Sequence, residues 1–257
     1  KNTSLALGNI VGSNIFNTLM ILGVTALISP LIITKSNLKR DIPLNIAVTA
    51  ILIFLGMKNS LFGIGQDCLT RVDGVIMLAI FAWYLWRSFR TPSDDCEESS
   101  EDIKTFSGAV SACLIIAGLA ALIGGGKMFV HSATAIAEYL HLSEKFIAIT
   151  VMAAGTSLPE LATCAVAATK GHGQLALGNI LGSNISNILL ILGGAAVIHP
   201  LSFAGMTPVD LGVVMIAAVF ILSSAYTFRV NKLDRFEGGV LLAMEIGYMI
   251  WLFVNPA

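Results

Sequence analysis

Charge is scarce in this chain. Only 12% of its 257 residues are Asp, Glu, Lys or Arg, and 15 basic side chains nearly balance 16 acidic ones. There is thus no basic face for nucleic acid, and the overall charge balance says nothing of a partner. Cysteine is rarer still: Cys68, Cys96, Cys113 and Cys164 show neither CxxC nor Cys/His spacing, which argues against a zinc or redox motif. The four histidines, His131, His141, His172 and His199, share no ligand spacing and are expected in surface or capping roles. Lys1-Asn2-Thr3-Ser4 leads straight into a long apolar run with neither an initiator Met nor a cleavage-site pattern, so the sequence is expected to be a piece of a longer protein.

What fills the chain instead is apolar: 56% of residues are hydrophobic, and the mean hydropathy is +0.83. The main solvent of such a chain is lipid. Runs long enough to cross ~30 Å of hydrocarbon predict an all-α integral membrane protein with spans at 5–28, 42–57, 74–90, 106–126, 145–169, 175–198, 209–228 and 238–254. The second is short and is expected to extend through Leu61 and Phe62. The fourth is expected to run past Gly124-Gly125-Gly126 towards Glu138 as a long tilted helix with a flexible point. Residues 91–105 are polar, acidic and turn-forming at once, which reads as a tether between an N-terminal half (1–90) and a C-terminal half (106–257).

Sorting Lys and Arg onto the two faces places Lys35, Lys39, Arg40, Arg87, Arg90, Lys104, Lys170, Arg229, Lys232 and Arg235 on one side. Lys1, Lys58, Arg71, Lys127 and Lys145 fall on the other. By the positive-inside rule the first side is cytoplasmic and both ends of the chain lie outside.

Leu5 to Leu31 recurs almost unchanged at Leu175 to Leu201, with 19 of 27 aligned residues identical. The copies are the first and sixth predicted spans, an odd number of crossings apart, so they run in opposite directions. Inverted repeats of this kind build secondary transporters whose binding site lies near the bilayer midplane. The second copy follows two spans of its own half. By symmetry, about 65 residues and two spans are expected ahead of Lys1.

The most specific string is Gly155-Thr156-Ser157-Leu158-Pro159-Glu160, inside the fifth span. Pro159 has no N–H, so the carbonyl of Gly155 loses its helical partner and a kink is expected. A freed carbonyl, two hydroxyls and a carboxylate then converge, a set of hard oxygens suited to Ca²⁺ or Na⁺. An acid at the centre of a span costs at least ~2.5–3.5 kcal/mol, so Glu160 needs either a cation or a bundle-facing partner that holds it protonated. In the repeat spans Asn9, Ser13 and Asn17, and likewise Asn179, Ser183 and Asn187, recur at four-residue steps along one helical face. Ser13, Asn17, Ser183 and Asn187 are expected to be ligands. For Asn9, Asn14, Asn179 and Asn184, ligation and the tying of helices are both open. Gly8-xxx-Gly12 and Gly178-xxx-Gly182 predict close backbone approach.

G-T-S-L-P-E followed by G-N-x-x-G-S-N-I-x-N resembles the alpha-repeat signature of the sodium/calcium exchanger family, among the cation/calcium antiporters. The likeness covers the whole second half and the later part of the first. It implies a ten-helix fold, of which about eight helices are in this chain, with two inverted five-helix halves around a diamond of cation sites. It assigns Thr156, Ser157, Glu160, Ser183, Asn187, Ser13 and Asn17 as ligands. The family's first-half Glu has no counterpart in this chain. Relatives often carry Asp where this chain has Asn187, and in some members that Asp accompanies potassium co-transport, so exchange without K⁺ is expected. The resemblance also implies that the long fourth span slides during alternating access, with its glycines as hinge.

The expected activity is therefore exchange of Ca²⁺ for Na⁺ across a membrane, the ions being cargo, with no cofactor and no enzymatic step. A proton-coupled antiporter and a transport-inactive truncated protein are the alternatives. The short linker points to a prokaryotic inner membrane. Glu245, the other acid within a span, is expected to face a crevice between helices or to snorkel.

Overall fold

The apolar runs fold as helices throughout the residues that the computed structural model describes, namely 2–63, 65–90, 107–203, 205–226 and 231–255. The proposed tether 91–105 lies outside them. In chain order the rods are α1 (Leu5–Ile28), α2 (37–56), α3 (Arg71–Arg90), α4 (Gly108–Tyr139), α5 in two limbs (Glu144–Thr156 and Leu158–Thr169), α6 (Gly173–Ile198), α7 (Pro208–Ser224) and α8 (Arg235–Val254). Five of these, α1, α3, α4, α6 and α8, are long and apolar enough to cross a membrane, and α5 makes a sixth if its limbs count as one span. α7 is shorter, at 17 residues, and α2 opens on a turn containing Lys39, Arg40 and Asp41.

The two repeat helices form the centre. Leu7, Leu19 and Leu22 of α1 and Leu177, Ile180 and Leu189 of α6 are all fully buried. Both helices widen into a π-helical turn at the same repeat position, Asn17–Ile21 in α1 and Asn187–Leu192 in α6. Such turns cluster at functional sites because the extra residue shifts the side chains that follow.

Two minimal strand pairs repeat the twofold relation. β1 (Leu31–Ile32) follows α1 and pairs antiparallel with β4 (Lys232–Leu233) ahead of α8. β3 (Leu201–Ser202) follows α6 and pairs with β2 (Cys68–Leu69) ahead of α3. Each half thus lends one strand to each end of the bundle, and connections assigned to one face by the Lys and Arg count are joined to connections of that same face.

Of the two expected G-xxx-G contacts, only the one in α1 is made among the described residues. A Cβ on Gly12 would collide with the carbonyl oxygen of Ile149, so α1 and the first limb of α5 touch backbone to backbone. The repeat-related Gly178 and Gly182 have nothing within 4 Å of the same point. α4 runs unbroken through its three glycines. Gly126 presses on the Gly155 carbonyl, where a Cβ would lie 3.0 Å away, whereas Gly124 and Gly125 face open space.

An ion pair that the sequence reading missed anchors the entry of α5. Lys145 Nζ lies 2.8 Å from Asp210 Oδ2, with the two side chains 7% and 0% exposed. Asp210 also closes the capping box at the start of α7 with Thr207 and accepts a 2.8 Å hydrogen bond from the Tyr248 hydroxyl of α8. Removing one partner of a buried pair leaves an uncompensated charge, at a cost of about 3–5 kcal/mol. Lys145→Met is expected to destabilise by that order in thermal unfolding in detergent, with partial recovery in the Lys145→Met/Asp210→Asn double variant. Unchanged stability in Lys145→Met would show that the pair holds nothing in place.

Candidate cation site

Pro159 breaks α5 as its chemistry requires. The limbs meet at 49°, and Ser157 between them takes φ −95°, ψ 3°, neither helical nor extended. Ser157 N–H still donates to the carbonyl of Ala153 at 3.0 Å, while Pro159 occupies the first turn of the second limb, where a missing N–H costs least. Glu160 then starts that limb close to the break.

Opposite the break, α1 and α6 present the striped face. A cavity of about 380 Å³ is lined by Asn9, Ser13, Thr156, Ser157, Glu160 and Asn187, together with Ala6, Ile10 and Ile191. Five of the seven predicted ligands therefore share one space. Ser183 and Asn17 join it through hydrogen bonds: Asn17 Nδ2 donates to Ser183 Oγ at 3.4 Å, and Ser183 Oγ donates to Glu160 Oε1 at 3.3 Å. Across the cavity, Ser13 Oγ and Thr156 Oγ1 share a 3.0 Å hydrogen bond, and Thr156 Oγ1 lies 3.3 Å from Asn9 Oδ1.

Two oxygens of this network are left over. Glu160 Oε2 and Asn17 Oδ1 are buried and have no hydrogen-bond partner. Buried acceptors without donors cost about 1–3 kcal/mol each, more when charged, and both are oxygens of a kind that ligates hard cations. Glu160 is the only carboxylate among the cavity's lining residues. Among the described residues no three His, Cys, Asp or Glu come together, so the described residues offer a cation here one carboxylate and a set of neutral oxygens.

Asn9, Asn14, Asn179 and Asn184, each open to ligation or to tying helices, are divided by the structure. Asn9 lies on the cavity, as its place on the stripe suggested. Asn179, its repeat mate, donates instead to Cys164 Sγ at 3.6 Å and ties α6 to α5. Asn14 and Asn184 join α1 to α6: Asn187 Nδ2 donates to Asn14 Oδ1 at 3.0 Å, and Asn17 Nδ2 donates to Asn184 Oδ1 at 3.0 Å. Thr18, which the sequence reading missed, accepts from Asn184 Nδ2 at 2.8 Å. It lies off the four-residue stripe, so no pattern singled it out.

The family model for the sodium/calcium exchanger protein matches residues 1–90 and 110–254. The chain belongs to the sodium/calcium exchanger family. Among curated relatives it is 35% identical to the putative antiporter CaxA of Alkalimonas amylolytica, across 96% of this chain and 78% of that protein. It is 31% identical to the sodium/calcium exchanger MaX1 of Methanosarcina acetivorans, across 98% and 81%. A solved structure of the sodium-calcium exchanger NCX_Mj superposes with a TM-score of 0.74 at 30% identity, covering 99% of this chain and 78% of that one. The exchanger fold expected from the motifs is thus the fold observed, and the chain is an integral membrane protein of a family of cation/calcium antiporters rather than of enzymes.

The contact between α1 and the broken helix of this exchanger is open to a direct check. Thr156→Val keeps the side chain's shape and removes its hydroxyl, with an expected loss of about 1 kcal/mol in unfolding without ions. In a double-mutant cycle with Ser13→Ala the expected coupling is about 0.5–1.5 kcal/mol. Strict additivity of the two substitutions would show that the hydroxyls do not meet.

Proposed function

We propose that the protein exchanges Ca²⁺ for Na⁺ by alternating access and does not require K⁺. Glu160, Thr156, Ser157, Ser183, Asn187, Ser13 and Asn17 are its cation ligands in this reading. The observation that carries the reading is the buried, unpartnered Oε2 of Glu160 in a cavity otherwise walled by hydroxyl and amide oxygens. One carboxylate with neutral oxygens matches a hard cation, and competition for the same oxygens couples the two ions. A filled site relieves the buried charge that an empty one would carry, so the loaded form reorients and the empty form resists.

A site with one carboxylate leaves Ca²⁺ with uncompensated charge. The open face at Gly178 and Gly182 is the twofold counterpart of the face on which the first limb of α5 packs. We place there a second broken helix carrying the first-half Glu, so that residues 1–90 and 106–257 belong to two halves of one full-length transporter. The neutral Asn187 supports independence from K⁺. An Escherichia coli relative, 33% identical, is named inner membrane protein YrbG, which supports a prokaryotic inner membrane for this protein; the Lys and Arg count supports 91–105 being cytoplasmic.

Proteoliposomes containing the full-length protein should take up ⁴⁵Ca²⁺ when loaded with Na⁺ and diluted into Na⁺-free buffer, equally well with and without K⁺. Glu160→Gln removes the charge and keeps the shape, and should reduce uptake at least about a hundredfold, as expected when a buried charge pairing of about 3 kcal/mol is lost. Uptake driven by a proton gradient and indifferent to Na⁺ would assign the proton-coupled alternative. Collapse of exchange without K⁺ would overturn the potassium assignment, and full uptake in Glu160→Gln would overturn the site.

A further inference from the structure

Asn14 and Asn184 do not line the cavity, yet they hold the two asparagines that the proposed site uses. The pairing is reciprocal. Asn187 of α6 gives its NH₂ to Asn14 Oδ1, and Asn17 of α1 gives its NH₂ to Asn184 Oδ1, each at 3.0 Å. An amide can present either its oxygen or its NH₂ to an ion, and only the oxygen ligates a cation. What decides between them is which end is already engaged on the other side.

The engagement is anchored where its direction is unambiguous. Asn14 Nδ2 donates to the main-chain carbonyl of Asn184 at 3.4 Å, and a carbonyl only accepts. Asn14 is thereby fixed with its Oδ1 towards Asn187, so Asn187 must meet it with NH₂ and turn its own oxygen the other way. On the symmetry-related side Asn184 Nδ2 donates to Thr18 Oγ1 at 2.8 Å, and the direction is set at Ser183, whose one proton goes to Glu160 so that its oxygen accepts the NH₂ of Asn17. The consequence is visible at Asn17, whose Oδ1 is buried with no partner. The anchors differ between the halves because residue 18 is Thr while its repeat mate, 188, is Ile.

We propose that Asn14 and Asn184 are positioning residues that fix the polarity of the two ligand amides, so that α1 and α6 each offer a cation an amide oxygen and never an NH₂. This rests on the site assignment above and names what makes two neutral side chains usable there. The crossed pairs also bind the inverted helices to each other, so amide polarity and helix register are set by the same four side chains.

The test separates orientation from packing. Asn14→Asp and Asn184→Asp keep the accepting oxygen, whereas Asn14→Leu and Asn184→Ala remove it. In the full-length protein, half-saturating Ca²⁺ for exchange should rise about tenfold in Asn14→Leu and in Asn184→Ala, the effect of one lost ligand hydrogen bond or its equivalent. In the two Asp variants, which keep the acceptor and add a negative charge near the ion, it should not rise above wild type, whatever their melting temperatures. The two helices carry the test independently, so it stands if one truncation does not fold. Glu160→Gln is measured alongside. If it abolishes exchange while the truncations bind Ca²⁺ like wild type, or while the Asp variants are as impaired as the truncations, the positioning role is wrong and the site survives. If Glu160→Gln exchanges normally, both fall.

Discussion

A carboxylate inside a membrane protein is tolerable only when something positive or strongly donating meets it, and the arrangement around Glu160 follows from that constraint. One of its oxygens receives the Ser183 hydroxyl, and the other is buried and bare. No lysine, arginine or histidine lines its cavity. The surroundings supply oxygen lone pairs, which worsen the position of an anion by itself and improve it only when a cation sits between. Sequence features that look unrelated serve this end: Pro159 opens α5 beside the acid, and the glycines of α1 let that helix come close enough for Ser13 to reach Thr156.

A buried cation with a fixed partner is handled differently. Lys145 meets Asp210 directly, at the end of the bundle, with a capping box and a tyrosine hydroxyl sharing the carboxylate's remaining capacity. That carboxylate is saturated and structural, tying α5, α7 and α8 together at the place where the broken helix enters. Glu160 lies in the same helix as Lys145, so its position is set from one end by an ion pair and from the side by the backbone contact at Gly12. Glu245 is also buried, with one oxygen unpartnered, which fits a crevice between helices.

Much of the site was legible because the chain states it twice. The repeated G-N-x-x-G-S-N stripe gave the inverted pairing of α1 and α6, and the Pro159-Glu160 pair gave the broken helix and its acid. The fourth run reached Tyr139, close to the Glu138 expected of it. Features created by contact between distant segments were hidden. The π-helical turns at Asn17 and Asn187 leave no periodic mark in apolar runs, and the strand pairs are two residues long and joined only across halves. Nothing in the sequence distinguishes Gly12, packed against Ile149, from Gly182, which faces open space. Asn14 and Asn184 were visible as polar residues, but their reciprocal bonding needed the crossing geometry.

In this reading Glu160 and the duplicated oxygens bind one hard divalent ion in a single place. Anomalous diffraction from crystals of the full-length protein soaked in Sr²⁺, a heavier stand-in for Ca²⁺, tests it most directly. A peak is expected within about 2.3–2.6 Å of Glu160 Oε2 and of hydroxyl and amide oxygens from both repeat helices, allowing slightly longer bonds for the larger ion. A peak elsewhere, or Glu160 turned away from Ser13, Asn17, Ser183 and Asn187 in the loaded protein, would contradict it.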